Sequence, residues 1–328
     1  LELSEAAIAG AGYFVPNRIL TNFELEHMVE TTNDWIVERS GIHERRILDK
    51  ELKNTDMAVE AGRNALLDAG MEASELDLII IATITQDYFT PSSACVVQAG
   101  LGAFNAATFD VNAACSGFVY ALASATSFIR SGMYRNALVI GSEALSKVID
   151  WNHRSTCVLF GDGAGAVVVK ASEEKGVCAF DLGAAGNLGN AITIPGTYFS
   201  DKDIADRNNE RSHVIRMDGR EVYKFATRTM ASSVKKLLKE NNKTNDDVDI
   251  IVPHQANIRI LQTASKKLGI GMDRIYSIIH KFGNTSSASI PIALCNALED
   301  GRIKSGDTIV LTGFGGGLTW ASALVNWI

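Results

Sequence analysis

Signals for cysteine pairing are missing from this sequence. Its five cysteines, Cys95, Cys115, Cys157, Cys178 and Cys295, are odd in number, widely spaced, and include no Cys-x-x-Cys pair. That excludes a disulfide framework or a zinc site and fits reduced thiols. A basic excess is missing as well: the formal net charge is −7, against the basic surface that general nucleic-acid binding requires. No apolar run approaches the ~20 residues a membrane-spanning helix needs. The first residues lack the basic-then-apolar pattern of a secretory leader, so the expectation is a cytoplasmic protein. What is present is 46% hydrophobic content over 328 residues, enough to bury a large core as one double-layered unit or two similar halves.

The chain is arranged around Val111-Asn-Ala-Ala-Cys-Ser-Gly-Phe118. An apolar run over residues 107–111 predicts a strand leading in, and periodicity over 118–129 predicts a helix leading out. Cys115 then lies at a strand-to-helix turn, where backbone N–H groups and the helix dipole favour a thiolate. A small buried core cysteine satisfies the same local pattern, and both readings stay open at this point.

Elsewhere, helix and strand alternate. Strands are expected at 8–15, 78–84, 137–140, 166–170, 248–252, 274–279 and 308–312. Helices are expected at 21–30, from Thr31, and at 54–70, 91–101, 221–240, 258–268 and 286–298. Asn33 or Asp34 suits the cap of the second helix, and Asn54 that of the third. The unbroken apolar run at 78–84 marks a strand buried on both faces of a parallel sheet, so the class is α/β. Residues 197–211, crowded with Asp, Asn and Arg, read as a solvated loop.

The order repeats. Residues 74–80 resemble 245–251, Asp77 meeting Asp249 at an offset of 172; Gly141 meets Gly313 at the same offset, while Gly132 meets Gly301 at 169. A duplication is expected, with halves 1–175 and 176–328. At the 169 offset Cys115 lands on Asn284; at 172, Ala82 lands on His254, at a strand's carboxyl end where α/β sheets collect ligands. Cys115, His254 and Asn284 would then converge as nucleophile, proton donor or acceptor, and amide.

Two glycine-rich stretches qualify this picture. Gly161-Asp-Gly-Ala-Gly-Ala166 precedes a strand, which argues against a dinucleotide fingerprint and for a tight turn with close backbone packing. Gly313-Phe-Gly-Gly-Gly317 follows a strand and either presents N–H groups to an oxyanion or simply turns a hairpin.

Asn-Ala-Ala-Cys115-Ser-Gly, Pro-His254-Gln-Ala-Asn-x-Arg, Gly-Asn284-Thr-Ser-x-Ala-Ser and Gly-Phe-Gly-Gly-Gly together resemble the β-ketoacyl-acyl-carrier-protein synthase III family. The resemblance runs from Trp35-Ile-Val-Glu-Arg-Ser-Gly-Ile42 to the last strand. It implies a thiolase-like, duplicated five-layered αβαβα arrangement with mixed sheets, assembled as a homodimer. The implied reaction starts type II fatty-acid synthesis by condensing an acyl-CoA primer with malonyl on acyl carrier protein. No permanently bound cofactor or metal is implied; acyl-CoA is a substrate. Cys115, His254 and Asn284 form the implied catalytic set, with an oxyanion hole from the N–H groups of Cys115 and Gly315. Thr31, Trp35, Arg39, Arg154, Gly219 and Asn257 match positions for CoA, Trp35 and Arg154 sandwiching its adenine. Lys224, Gln255, Arg259, Lys266 and Lys267 fall where carrier protein docks.

Thr90 departs from the phenylalanine that many relatives place at the foot of the acyl pocket from the partner subunit. A longer or branched primer would fit there unless Phe89 refills the space. Tyr223 stands where phenylalanine is common. A same-fold condensing enzyme or acyltransferase of secondary metabolism is the nearest alternative, and a catalytically silent partner subunit the more distant one.

Overall fold

The computed structural model describes residues 5–196 and 213–328; the loop expected at 197–211 lies outside the described residues. Residues 78–82 of the long apolar run form a strand with every residue buried, at the interior of a five-stranded sheet. The order across that sheet is Glu5–Phe14, Asp162–Ser172, Asn136–Ala144, Leu78–Ala82, Ala107–Val111. Leu78–Ala82 runs parallel to both of its neighbours; the other two pairings are antiparallel, so the sheet is mixed. A second mixed sheet orders Ile250–Pro253, Thr308–Gly315, Thr319–Asn326 and Val177–Ala184.

Helices Gly117–Arg130 and Ser289–Glu299 lie between the two sheets, and their apolar residues share one core cluster with the sheets' inner faces. Asn54–Asp68 and Ser93–Leu101 cover the outer face of the first sheet. Gly219–Glu240 and Ile258–Leu268 cover that of the second. Five layers, αβαβα, result. Among the described residues no helix is long and apolar enough to cross a membrane.

Several local expectations are corrected. The 161–166 glycines lie almost wholly inside the strand Asp162–Ser172 and make no turn. Their close-packing reading holds: a Cβ on Gly165 would come within 2.7 Å of Ile292 N on the central helix. The expected strand at 274–279 is instead a 3-10 turn, a single bridge from Ile275 to Ile251, and the short helix Ile279–Phe282. Val177–Ala184, an edge strand, went unpredicted. Thr32, not Asn33 or Asp34, caps Asn33–Ser40, accepting from Trp35 N–H at 3.2 Å. Asn54 spends its side-chain amide on Thr83 and Ser142 while Lys53 takes the cap position.

The duplication needs its register moved at the central turn. Both halves build a 3-10 turn before the central helix, Ala114–Ser116 and Ser286–Ala288, and each opens on a residue with positive φ, +46° at Ala114 and +48° at Ser286. These match at the 172 offset, as do the helix starts Gly117 and Ser289. The three-residue drift arises inside the helices, 14 residues against 11. The counterpart of Cys115 is therefore Ser287, and Asn284 corresponds to Asn112. Glycines repeat the same contact in each half: a Cβ on Gly141 would strike Ser287 O at 2.3 Å, and one on Gly313 would sit 3.2 Å from Cys115 O.

Candidate active site

Cys115 occupies the 3-10 turn at the head of the central helix Gly117–Arg130, half-buried at the wall of a cavity of about 580 Å³. Its backbone is pressed against the end of the strand Thr308–Gly315. A Cβ at Gly315 would lie 2.5 Å from Cys115 N, so only glycine lets these two main chains meet. Burial outweighs the helix N-terminus here. It pushes the thiol up to about 12, while the nearby Ser286 hydroxyl pulls the other way and Glu143 adds to the rise. Burial thus opposes the thiolate that the helix N-terminus favours, and the proton leaves as the sulfur reacts.

His254 follows directly on the strand Ile250–Pro253, and its N–H reaches Thr312 O at 2.8 Å on the adjacent strand. The ring is 1% exposed, and burial drops its pKa to about 3, so the imidazole is neutral in any ordinary buffer. Nδ1 lies 2.6 Å from Ser289 Oγ, which also receives the Gln255 N–H at 3.4 Å. The Ser289 hydroxyl can give its hydrogen to Nδ1 while its oxygen accepts from Gln255 N–H. We assign the imidazole hydrogen to Nε2 on this basis. Phe314 packs edge-on against the ring at 5.3 Å between centroids. His254 is thus a neutral donor toward the cavity.

Asn284 is fixed by its backbone and its side chain. Its N–H donates to Leu159 O at 2.8 Å and its carbonyl accepts from Gly161 N–H at 3.0 Å. Its Oδ1 accepts the Ser286 N–H at 2.8 Å, which leaves the Nδ2 hydrogens as the amide's free function. Cys115, His254, Asn284 and Gly315 all line the one cavity.

Trp35, Arg39, Gly219, Asn257, Lys224 and Arg259 line the outer part of the same cavity. Asn257 caps the helix Ile258–Leu268 and donates to Arg39 O at 2.9 Å, tying two of these positions together. The Thr31 hydroxyl is buried without a partner. The Arg154 guanidinium sits 4.8 Å from the Trp35 ring centroid and that of Arg39 5.1 Å. A planar base between Trp35 and Arg154 needs roughly 7 Å, two contacts of ~3.5 Å, so Arg154 must swing away for a sandwich to form. Arg154 is held by a bond to Glu30 O at 2.8 Å.

One expected role fails on burial. Gln255 is 1% exposed, with its amide bonded to Pro253 O and Tyr276 O and accepting from Ile278 N–H, so it cannot meet a docking partner. Phe89 (75% exposed) and Thr90 stand on the outside of this protomer and line no part of its cavity. Lys266 and Lys267 are exposed on the last turn of their helix, Lys267 bonding Thr227 O at 3.0 Å; Lys224 is paired with Glu221 at 2.7 Å. Sequence reading missed Ser286, Ser289 and Glu143. The first two were inside a quoted motif, and nothing in their type told which of its hydroxyls faces the cavity.

A duplicated five-layer fold with a cysteine, a neutral histidine and an asparagine amide in one apolar cavity defines a thiolase-like condensing enzyme. Comparisons with known proteins narrow the class. The family model described as 3-oxoacyl-(acyl-carrier-protein) synthase III matches residues 109–186, and that of its C-terminal part matches 238–327. The chain is 48% identical over 323 residues to the β-ketoacyl-(acyl-carrier-protein) synthase III of Caldanaerobacter subterraneus, covering 98% of each. It is 46% identical to the 3-oxoacyl-(acyl-carrier-protein) synthase III structure from Aquifex aeolicus, with TM-score 0.91 over 98% of this chain and 100% of that one. A priming β-ketosynthase of a polyketide pathway is 33% identical with TM-score 0.94, over 99% and 97% of the two chains. The chain belongs to the β-ketoacyl-acyl-carrier-protein synthase III family and is an acyltransferase of fatty-acid biosynthesis.

Proposed function

We propose that this enzyme joins an acyl-CoA primer to malonyl carried on acyl carrier protein, through an acyl group held on Cys115. The observation that carries this reading is the convergence of one thiol and two neutral donors, His254 Nε2–H and Asn284 Nδ2–H, on one cavity. The Cys115 sulfur attacks the primer thioester; the acyl–CoA bond breaks and the thiol's proton ends on the CoA sulfur. Backbone N–H groups of Cys115 and Gly315 serve as the oxyanion hole, a contribution of about 3–4 kcal/mol per donor in other enzymes. Malonyl then loses carbon dioxide, and the electron pair left behind is held as an enolate whose oxygen accepts from His254 and Asn284. The enolate carbon attacks acyl-Cys115, the C–S bond breaks, and one proton is taken up to restore the thiol.

The two-half division at 1–175 and 176–328 is supported by each sheet drawing its strands from one side of that boundary. A homodimer fits the edge strand Ala107–Val111, whose outer side no strand among the described residues covers, and the exposed Tyr88, Phe89 and Phe104. Phe89 and Thr90 would then complete the partner's acyl pocket. Lys224, Arg259, Lys266 and Lys267 at and beyond the cavity mouth suit an acidic carrier protein. Trp35, Arg39, Asn257, Gly219, Thr31 and a displaced Arg154 suit CoA, and the setting is the cytoplasm.

Product analysis tests the reading. With an acyl-CoA panel of rising length and branching, 3-oxoacyl product is expected with malonyl-carrier protein and at least ~10-fold less with malonyl-CoA. Equal use of both, or product from non-malonyl extenders only, would favour the secondary-metabolism alternative.

A further inference from the structure

Ser286 combines three features that no other residue of the site shares. Its backbone is held at φ +48°, a left-handed conformation that strains a residue with a Cβ. Its side chain is 1% exposed at the cavity wall, and its Oγ makes no hydrogen bond of ordinary geometry. A buried hydroxyl without a partner is costly unless something arrives to use it.

Two ionisable groups neighbour it: Cys115, on the 3-10 turn packed against its own and lining the same cavity, and Glu143 on the strand Asn136–Ala144, bonded to the adjacent Ser287. Glu143 is already well supplied with donors. Its Oε2 already accepts from Ile84 N–H at 3.1 Å, Thr85 Oγ1 at 2.6 Å and Thr83 Oγ1 at 3.3 Å. On the other oxygen, Ser287 Oγ lies 2.9 Å from Oε1 and 2.8 Å from Ala82 O. Ser287 and three further donors thus already meet the Glu143 carboxyl, so the Ser286 hydrogen is left for sulfur.

The remaining titratable neighbour offers the thiol no base. His254 carries its hydrogen on Nε2, and its Nδ1 is occupied by Ser289. We propose that the Ser286 hydroxyl is a catalytic group of the acylation step, donating a hydrogen bond to the Cys115 sulfur as it gives up its proton and attacks the thioester. This rests on Cys115 being the nucleophile. The Sγ–acyl bond forms, the acyl–CoA bond breaks, and the proton ends on the CoA sulfur; Ser286 is unchanged at the end. The same residue's N–H orients Asn284, so its backbone serves decarboxylation while its side chain serves acylation.

Ser286→Ala and Ser286→Gly separate hydroxyl from backbone, because both keep the N–H and glycine accepts the positive φ without strain. In each variant the rate of Cys115 alkylation by iodoacetamide at pH 8.5 is expected to fall about ten-fold, as a lost bond to a developing charge implies. Acylation by acyl-CoA falls with it, and malonyl-carrier decarboxylation falls less. Wild-type alkylation and acylation rates in both variants would overturn the proposal. So would an impaired alanine variant beside an unimpaired glycine variant, or equal losses in acylation and decarboxylation. Wild-type protein that is not acylated at Cys115 at all would instead remove the nucleophile reading itself.

Discussion

Cys115→Ala is expected to lower condensation by more than ~10⁴-fold and to abolish acyl-enzyme formation, because no second cysteine among the described residues lines the cavity. The other cysteines cannot substitute. Cys157, Cys178 and Cys295 are buried in the core, and Cys95 lies on the helix Ser93–Leu101, away from the cavity. Folding should survive the change, since alanine fills the half-buried site with little lost packing and leaves the helix start intact. Stopped assays of acyl transfer from radiolabelled acyl-CoA give the readout, with circular dichroism as the control for fold. Retained acylation would mean that the primer is held elsewhere.

Asn284→Ala carries the second largest effect. The amide is fixed by the Ser286 N–H on its oxygen, so Nδ2 is a preorganised donor with no other role. Removing one such donor to a developing oxyanion costs on the order of 10²–10³ in rate. The loss should fall on release of carbon dioxide from malonyl-carrier protein, while acylation of Cys115 stays within a few-fold of wild type. His254 should behave alike. Its pKa of about 3 means that decarboxylation by the wild-type enzyme stays flat from pH 8 down through pH 5 so far as this residue is concerned. An inflection near pH 6.5 belonging to His254 would show an imidazole far less buried than this one. Equal loss of acylation and decarboxylation in Asn284→Ala would contradict its place at the enolate.

Much of this site was legible in the sequence because duplicated chemistry leaves marks. The apolar run ending at Ala82 and its repeat ending at Val252 placed His254 at a strand's carboxyl end, and the structure keeps it there. The pairing of Cys115 with Asn284 was wrong for a physical reason. Glycines that end the helices were used to set register, yet the central helices differ in length, so the ruler carried the error back to their starts. Val177–Ala184 escaped notice because its pattern is inverted: Asp181 is buried on Ser233, Lys236 and Trp320, while Leu182 is exposed. Gln255 read as a surface group because a glutamine in a polar motif usually is one; here it closes backbone gaps at Pro253 and Tyr276. The resting charge of Cys115 was beyond sequence reading. It depends on how far the fold excludes water from the sulfur, a quantity no local motif encodes.

Intact-protein mass with peptide mapping tests the central claim most directly. After incubation with acyl-CoA alone, the chain should gain the mass of one acyl group on the peptide carrying Cys115, and lose it when malonyl-carrier protein is added, with 3-oxoacyl-carrier protein and carbon dioxide formed in equal amounts. An acyl group on any other residue, or product formed without that transient mass, would contradict the account.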